Sequence, residues 1–316
     1  MQEILFECPP WPPLTLERGK VRDAYLLPQG ERLIVTTDRL SAFDAHIGAI
    51  PCKGQVLNQL SVWWFDQLGP QIPHHFLSTP DPNAMRVRGC TPLAVEFVMR
   101  GYLTGVTPTS IWTAYDRGER VFCGHSLPDG LKCFDALPAP LLTPSTKAPK
   151  GGHDQSVSGA ELVASGAIDK KTFERASALA HAIFALGQRM AESRGLILVD
   201  TKYEFGIDAS GELRLIDEVH TPDSSRFWRK EDYAAAQAEG RAPESFDKEY
   251  VRRCLKALGY QGQGSAPPLS AAAVAELSGR YVSLYETLTG LPFVPSARSQ
   301  ARIAALLERI TAGLQV

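Results

Sequence analysis

Between Leu196 and Arg226 two apolar-rich runs, Leu196–Ile207 and Glu212–His220, flank Asp208-Ala-Ser-Gly211, and this pattern constrains the fold more than any other part of the chain. Runs rich in Leu, Ile, Val, Phe and Tyr on either side of such a turn predict a β-hairpin. A turn centred between Ser210 and Gly211 sets Glu204 opposite Asp217, Lys202 opposite Val219 and Asp200 opposite Thr221. Asp200, Lys202 and Glu204 then share one face, because strand side chains repeat every two residues. Opposed carboxylates with Cβ atoms ~5 Å apart repel unless a positive charge stands between them. A divalent cation is the simplest such charge, and oxygen-only ligation with room for phosphate oxygens suits Mg²⁺. The plainer reading is a solvated strand edge with ordinary ion pairs, and a single bulge would turn Asp217 to the other face.

At 316 residues the chain is long enough for a large core and predicts two lobes. Its 44% hydrophobic and 22% charged residues are those of an ordinary globular protein. A net charge of −2 with no Lys/Arg block gives no support to nucleic-acid binding, although a local pocket for a small anion stays open. The six cysteines form no CxxC pair and read as reduced thiols of a cytoplasmic protein. The start, MQEILFECPPWPPL, has no basic leader, and no apolar run reaches the ~20 residues that a membrane span needs. His74-His75, in a Pro-bounded stretch, reads as a surface pair.

Along the chain, 16–27 predicts one strand and 32–37 a second, joined through Pro28-Gln-Gly30. Period two sets Arg18, Lys20 and Arg22 on one face and Val21 and Asp23 on the other. Three cations beside Gly19 would suit nucleotide phosphates, and they would equally suit a charge-guarded edge strand. Thr37–Asp44 reads as a polar loop, and Gln55–Leu68 as a helix that ends at Gly69-Pro70 with its tryptophans in the core. Pro80–Pro82 is a turn, and Leu93–Met99 a buried strand whose Glu96 needs a partner. Arg100–Gly105 would be the crossing between lobes, dividing the chain into 1–98 and 99–316. Leu137–Asp154, with four prolines, excludes helix and central strand and reads as a surface loop. Helices are predicted within 169–194, 246–258, 270–288 and 298–312, the last three for packing or subunit contacts. The number of subunits stays open.

The segments GKVRDAY (19–25), TDRLSAFD (37–44), VEFVMRGYLTG (95–105), LLTPSTKAPKGGHDQSVS (141–158), VDTKYEFGID (199–208) and LIDEVHTPDSSRFW (215–228) together resemble the SAICAR synthetase family, in that family's order and across about two thirds of the chain. The resemblance implies an α+β (mixed α/β), ATP-grasp-like fold. A β-rich amino-terminal lobe would stand over an α/β lobe, with packing helices at the end and ATP in the cleft between. It implies a cytoplasmic ligase of purine biosynthesis that joins the carboxylate of carboxyaminoimidazole ribotide (CAIR) to the amine of L-aspartate, converting ATP to ADP and phosphate. An unactivated carboxylate is a poor acyl donor, so an acyl phosphate is the simplest route, and cations must neutralise the moving phosphoryl group.

Carried over by motif, Lys20 and Arg22 would hold ATP phosphates, Glu96 would face the nucleotide, and Glu204 and Asp217 would ligate Mg²⁺. Arg100, Asp200, Lys202 and Arg226 would line the ribotide and aspartate site, the first three together with Lys20 forming the catalytic set. Lys147 and Asp154 would join them from the Pro-rich stretch, and Asp38 and Ser41 from the loop after the second strand. The sequence departs from the family after Gly105, where 106–109 reads as an insertion that puts Ser110 in the place of the family serine. A small-molecule kinase of related two-lobed build is the rival reading, and a non-catalytic nucleotide-binding module a second. The kinase needs a hydroxyl acceptor and a base, and has no use for so many groups around two anionic substrates.

Overall fold

The protein is described by a computed structural model covering residues 3–43, 45–107, 109–147, 154–246, 248–260 and 262–313. Asp44, Pro108 of the insertion, 148–153 of the Pro-rich stretch and Gln261 lie outside the described residues. The strands are β1 (Thr15–Arg18), β2 (Arg22–Leu26), β3 (Glu31–Thr36), β4 (Arg39–Ala42), β5 (Ala45–Ala49), β6 (Phe76–Asp81), β7 (Ala84–Arg88), β8 (Cys90–Tyr102), β9 (Val121–Phe122), β10 (His125–Ser126), β11 (Ala136–Leu142), β12 (Ser145–Thr146), β13 (Leu196–Asp208), β14 (Leu213–Ile216) and β15 (Ser225–Arg229). The helices are α1 (Lys53–Leu68), α2 (Ile111–Asp116), α3 (Gly159–Ala164), α4 (Lys170–Ser193), α5 (Lys230–Glu239), α6 (Glu249–Ala257), α7 (Ala271–Thr289) and α8 (Ser299–Thr311).

Two antiparallel sheets carry this mixed α+β architecture. The first has the order β1-β2-β3-β7-β6, and the second runs β11-β8-β13-β14 with β12 added to β8 and β15 to β13. The first sheet is covered on both faces. Alternation sends Leu33, Val35 and Ala84 to one side, where Ile303, Leu306 and Leu307 of α8 close over them, and sends Met85 and Val87 to the other, into the core with α1. Arg302 fixes α8 in place by donating to Asp81 (2.9 Å) and Asn83 (2.8 Å).

In the second sheet β8 and β13 are paired along most of their length, and their back face buries Phe97, Met99, Tyr203 and Phe205 in one core with Ala180, Ile183 and Phe184 of α4. Asp169 caps α4 by accepting from the Thr172 amide, and Gly195 follows with a positive φ of 72°. The open edge beyond β14 is covered by 73–75, since Leu215 donates to the Pro73 carbonyl and the His75 amide donates to that of Leu215.

Several expectations change. Residues 16–27 are two strands rather than one, with Gly19-Lys20-Val21 as the turn between them and the Gly19 amide bonded to the Arg22 carbonyl. Arg18 therefore lies opposite Asp23, on the face away from Arg22, and the three cations do not share a side. Thr37–Asp44 is not a loop throughout, because Arg39–Ala42 pairs with β5. Part of the Pro-rich stretch is strand: β11, with Pro138 and Pro140, occupies the outer position of its sheet, where missing N–H donors are tolerated. His75 is buried and His74 half-buried, both against Phe65, instead of forming a surface pair. The sheets change between Arg88 and Cys90, and β8 runs unbroken through 98–99, so a division at that point would cut a strand.

Gly54 stands at the first turn of α1, where an added Cβ would run into the Thr36 carbonyl. Helix propensity alone favours Gly54→Ala by about 1 kcal/mol. The clash is with backbone that cannot swing aside, so the variant should instead lose about 2 kcal/mol, within the usual cost of overpacking. Urea unfolding of wild type and variant checks the sign.

Candidate functional site

The site is the face of the second sheet opposite α4. Register alone assembles most of it: on adjacent strands Glu204 lies opposite Glu96, Lys202 opposite Val98 and Asp200 opposite Arg100, while β15 brings Arg226 against Asp200 from the other side. Glu96, Arg100, Asp200, Lys202, Glu204 and Arg226 thus share a face.

Glu204 does not face Asp217, the partner expected for it. Glu204 pairs with Ile216, one residue short of the expected register, and β14 ends there. Asp217 follows with a left-handed φ of 69° and lies beyond the ladder, as does the rest of the expected second strand to His220. The carboxylate opposed to Glu204 is Glu96, on the other neighbouring strand. Lys202 lies between them, donating to Glu96 Oε1 at 2.6 Å with Glu204 Oε1 3.8 Å away. Lys147 donates to the other oxygen of Glu204 at 2.5 Å, and Ser145 to Glu96 Oε2 at 3.3 Å. Burial disfavours the Lys202 ammonium, but Glu96 and Glu204 outweigh it and hold its pKa above the usual lysine range.

Asp217 is ion-paired to Arg22, whose second nitrogen reaches Glu218. Burial works against the Arg22 cation, and the two acids more than offset it, raising its pKa. Asp200 sits 3.6 Å from both the Arg100 and Arg226 guanidinium groups, while Arg100 Nε donates to Thr143 at 2.8 Å.

A cavity of about 310 Å³ opens on this face, lined by Arg100, Asp200, Lys202, Ser224, Ser225 and Arg226 together with Asp223, Lys248 and Arg252. Lys20 and Ser41 line a different cavity, of about 330 Å³, with Arg18, Arg39 and His46. Asp38 is buried and committed to the scaffold, its two oxygens accepting the Leu5 and Gly54 amides at 2.8 Å each. Ser110 caps α2 by accepting from the Thr113 amide. Asp154 is exposed at the end of the segment whose beginning is Lys147.

Sequence reasoning missed Lys53, Asp223, Lys248 and Arg252. The fully buried Lys53 of α1 donates to Asp223 at 2.8 Å, Lys248 lies 3.0 Å from the same carboxylate, and Tyr281 of α7 donates to it at 2.7 Å. With Tyr281, these residues come from four separate segments of the chain, and none has a local spacing that marks it. The apolar stripe of 246–258 pointed only to packing.

An antiparallel sheet that sets paired acids among lysines and arginines, beside a cavity whose lining holds five cationic side chains and two carboxylates, has the chemistry to receive anionic small molecules. The family model described as SAICAR synthetase matches residues 15–268. A putative phosphoribosylaminoimidazole-succinocarboxamide synthase 2 of Agrobacterium fabrum is 45% identical over 287 residues, 91% of each chain. The phosphoribosylaminoimidazole-succinocarboxamide synthase of Legionella pneumophila (strain Lens) is 45% identical over 280 residues, 88% of each. The chloroplastic synthase of Arabidopsis thaliana is 46% identical over 276 residues, 86% of this chain and 66% of that one. Among solved structures, the SAICAR synthase of Saccharomyces cerevisiae complexed with SAICAR superposes with a TM-score of 0.78 at 30% identity, covering 92% of this chain and all of that one. The chain belongs to the SAICAR synthetase family.

Asp223 gives a pH test of the site's scaffold. Burial alone would raise its pKa, but Lys248 and Lys53 prevail and hold it well below the usual carboxylate range. A depressed carboxyl stabilises the fold above its unfolded pKa of about 4, and that contribution is lost as the pH falls through the folded value. Asp223→Asn should therefore cost about 3 kcal/mol at neutral pH, as removal of one partner from a buried pair does. The gap to wild type should narrow below about pH 4, which thermal melts across pH would show.

Proposed function

We propose that this chain joins the carboxylate of CAIR to the amine of L-aspartate with conversion of ATP to ADP and phosphate, as an ATP-dependent ligase of purine biosynthesis. The observation that carries the reading is the shared face of Glu96, Arg100, Asp200, Lys202, Glu204 and Arg226 beside a cation-rich cavity, in a chain of this family. The kinase alternative has no support in the comparisons, whose relatives are named as synthases. The six free cysteines suit the reducing cytoplasm, where we place the enzyme. Among the described residues no helix is long and apolar enough to cross a membrane.

The residues suit Mg²⁺. Glu204 and Asp217 offer hard oxygen donors, are only partly buried, and are answered in this structure by cationic side chains, Lys147 and Arg22 respectively. No cluster of three or more metal-ligating side chains exists among the described residues, which accords with an ion that takes one or two carboxylates and fills its remaining positions from water and phosphate. Bound there, Mg²⁺ would neutralise charge on the ATP phosphates.

The rest falls to the chain's own groups. Lys20, at the turn between β1 and β2, takes the nucleotide phosphates. Arg100 and Arg226, with planar forks suited to oxyanions, hold the ribotide, and Asp200 between them keeps both guanidinium groups oriented. Lys202 lies between the ribotide cavity and the acids Glu96 and Glu204, where it can stabilise charge on the carboxylate that is activated, most simply as an acyl phosphate. Lys248 and Arg252 add positive charge on the α6 side of the same cavity, placed for the second anionic substrate, aspartate.

The test follows ADP and succinocarboxamide product together, with Mg²⁺, ATP and CAIR, with and without L-aspartate. The ligase reading expects aspartate-dependent ADP matched one for one by product, whereas ADP release with a phosphorylated product and no aspartate requirement would replace it with the kinase. Glu204→Gln and Asp217→Asn should each lower turnover by about 100-fold or more while circular dichroism stays unchanged, since each removes charge stabilisation from phosphoryl transfer. Arg252→Gln should raise KM for aspartate by about tenfold, roughly the 1.4 kcal/mol of one charge-assisted contact, with KM for ATP unchanged. An effect on CAIR instead would move the aspartate position elsewhere in the cavity.

A further inference from the structure

We propose that Tyr203 and His220 form a positioning pair that holds the segment 217–226 in the shape the site requires. The proposal rests on the ligase reading above and concerns two residues that carry none of its chemistry.

Tyr203 belongs to β13 but points to the back face, away from its neighbours Lys202 and Glu204. His220 leaves the segment between β14 and β15 and meets it there, with Tyr203 Oη hydrogen-bonded to His220 Nε2. Both side chains are fully buried. Burial holds the imidazole neutral, its pKa pushed down to about 3. The ring stands perpendicular to Trp64 of α1, with centroids 4.6 Å apart. On a third side is Gly187 of α4, where any Cβ would collide with the imidazole. One side chain is thus gripped by α1, α4 and β13.

What this grip maintains is the segment's backbone. Asp217 (φ 69°) and His220 (φ 46°) are both left-handed, which costs a side-chain-bearing residue energy and persists only where the surroundings enforce it. Val219, also fully buried, supplies apolar burial between them. The hydrogen bond and the slot over Gly187 specify the turn of the chain at 220. On one side of that point stand Asp217 and Glu218, which face Arg22; on the other stand Asp223, Ser224, Ser225 and Arg226, which line the cavity. The pair therefore sets the distance between the phosphate end and the substrate end of the site.

Tyr203→Phe removes one oxygen and keeps the ring, and His220→Gln retains a polar atom near the Nε2 position. Three readouts are compared with wild type: hydrogen exchange of the backbone amides in 217–226, the Mg²⁺ concentration that gives half-maximal rate, and kcat against KM for CAIR. The expected result for Tyr203→Phe is exchange in that segment at least tenfold faster, with exchange in α7 unchanged. A severalfold rise in the Mg²⁺ requirement and a kcat about tenfold lower should accompany it. His220→Gln should be milder than His220→Leu in all three. Lower melting temperatures with exchange, Mg²⁺ requirement and kcat all at wild-type values would show the pair to be core packing only and overturn the proposal. Exchange is read without substrates, so it decides the positioning claim even if wild type fails to make the succinocarboxamide, an outcome that would count against the ligase reading alone.

Discussion

Two glutamates facing each other across the middle of a sheet are the constraint on which the site depends. Glu96 and Glu204 are directly opposed on β8 and β13, and like charges at such positions oppose strand pairing. The structure answers with Lys202 between them, Lys147 from one side and Ser145 from another. Each answer brings something else into place. Lys202 requires β13 to keep its alternation, which puts Asp200 against Arg100 and Arg226; Lys147 ties the Pro-rich segment to the sheet. The electrostatic compensation that makes the sheet stable is also what gathers the groups that chemistry would use.

The second dependence runs between the sheets. The first sheet reaches the site through Arg22, and α1 through Lys53, each meeting an acid of the 217–226 segment. Arg22 to Glu218 and Lys53 to Asp223 are buried or nearly buried pairs, with the part-exposed Asp217 beside the first, and their desolvation cost makes them weak sources of net stability. Their value is in register, because a charge left unpartnered in either place is costly, so only one docking of the first sheet and α1 on this segment satisfies all three acids. That the same segment has two left-handed residues fits a part of the chain bent to meet partners on both sides.

Much of this was legible in the sequence, and what was not had physical reasons. Alternation gave the shared face of Asp200, Lys202 and Glu204, and turn chemistry gave the bend at Asp208–Gly211, where the Gly211 amide donates to the Asp208 carbonyl. Glu204 does oppose a carboxylate, but on the other neighbouring strand. A one-residue shift in register put Ile216 rather than Asp217 across from Glu204, and the true opponent, Glu96, lies more than a hundred residues earlier in the chain, where no local pattern ties it to β13. The helices carried their own signals in caps and spacing, and α1, α4, α7 and α8 stand close to where those signals put them. The stretch 16–27 misled because a two-strand hairpin with a turn of Gly, Lys and Val shows the same apolar alternation as one longer strand.

The terminal helices show where local reading ends. Residues 246–258 have a clear apolar stripe, and the stripe does pack, through Val251 and Leu255. The polar positions beside it, Lys248 and Arg252, line a cavity together with residues of β8, β13 and β15, a placement that only the tertiary fold supplies. The same holds for Tyr281, whose ring is core and whose hydroxyl reaches Asp223. Helical periodicity encodes which face is buried but carries no information on what the buried face adjoins. A residue at the margin of an apolar stripe thus acquires its chemistry from the neighbour the tertiary fold assigns to it, and here that neighbour is an acid held from the far side by Lys53.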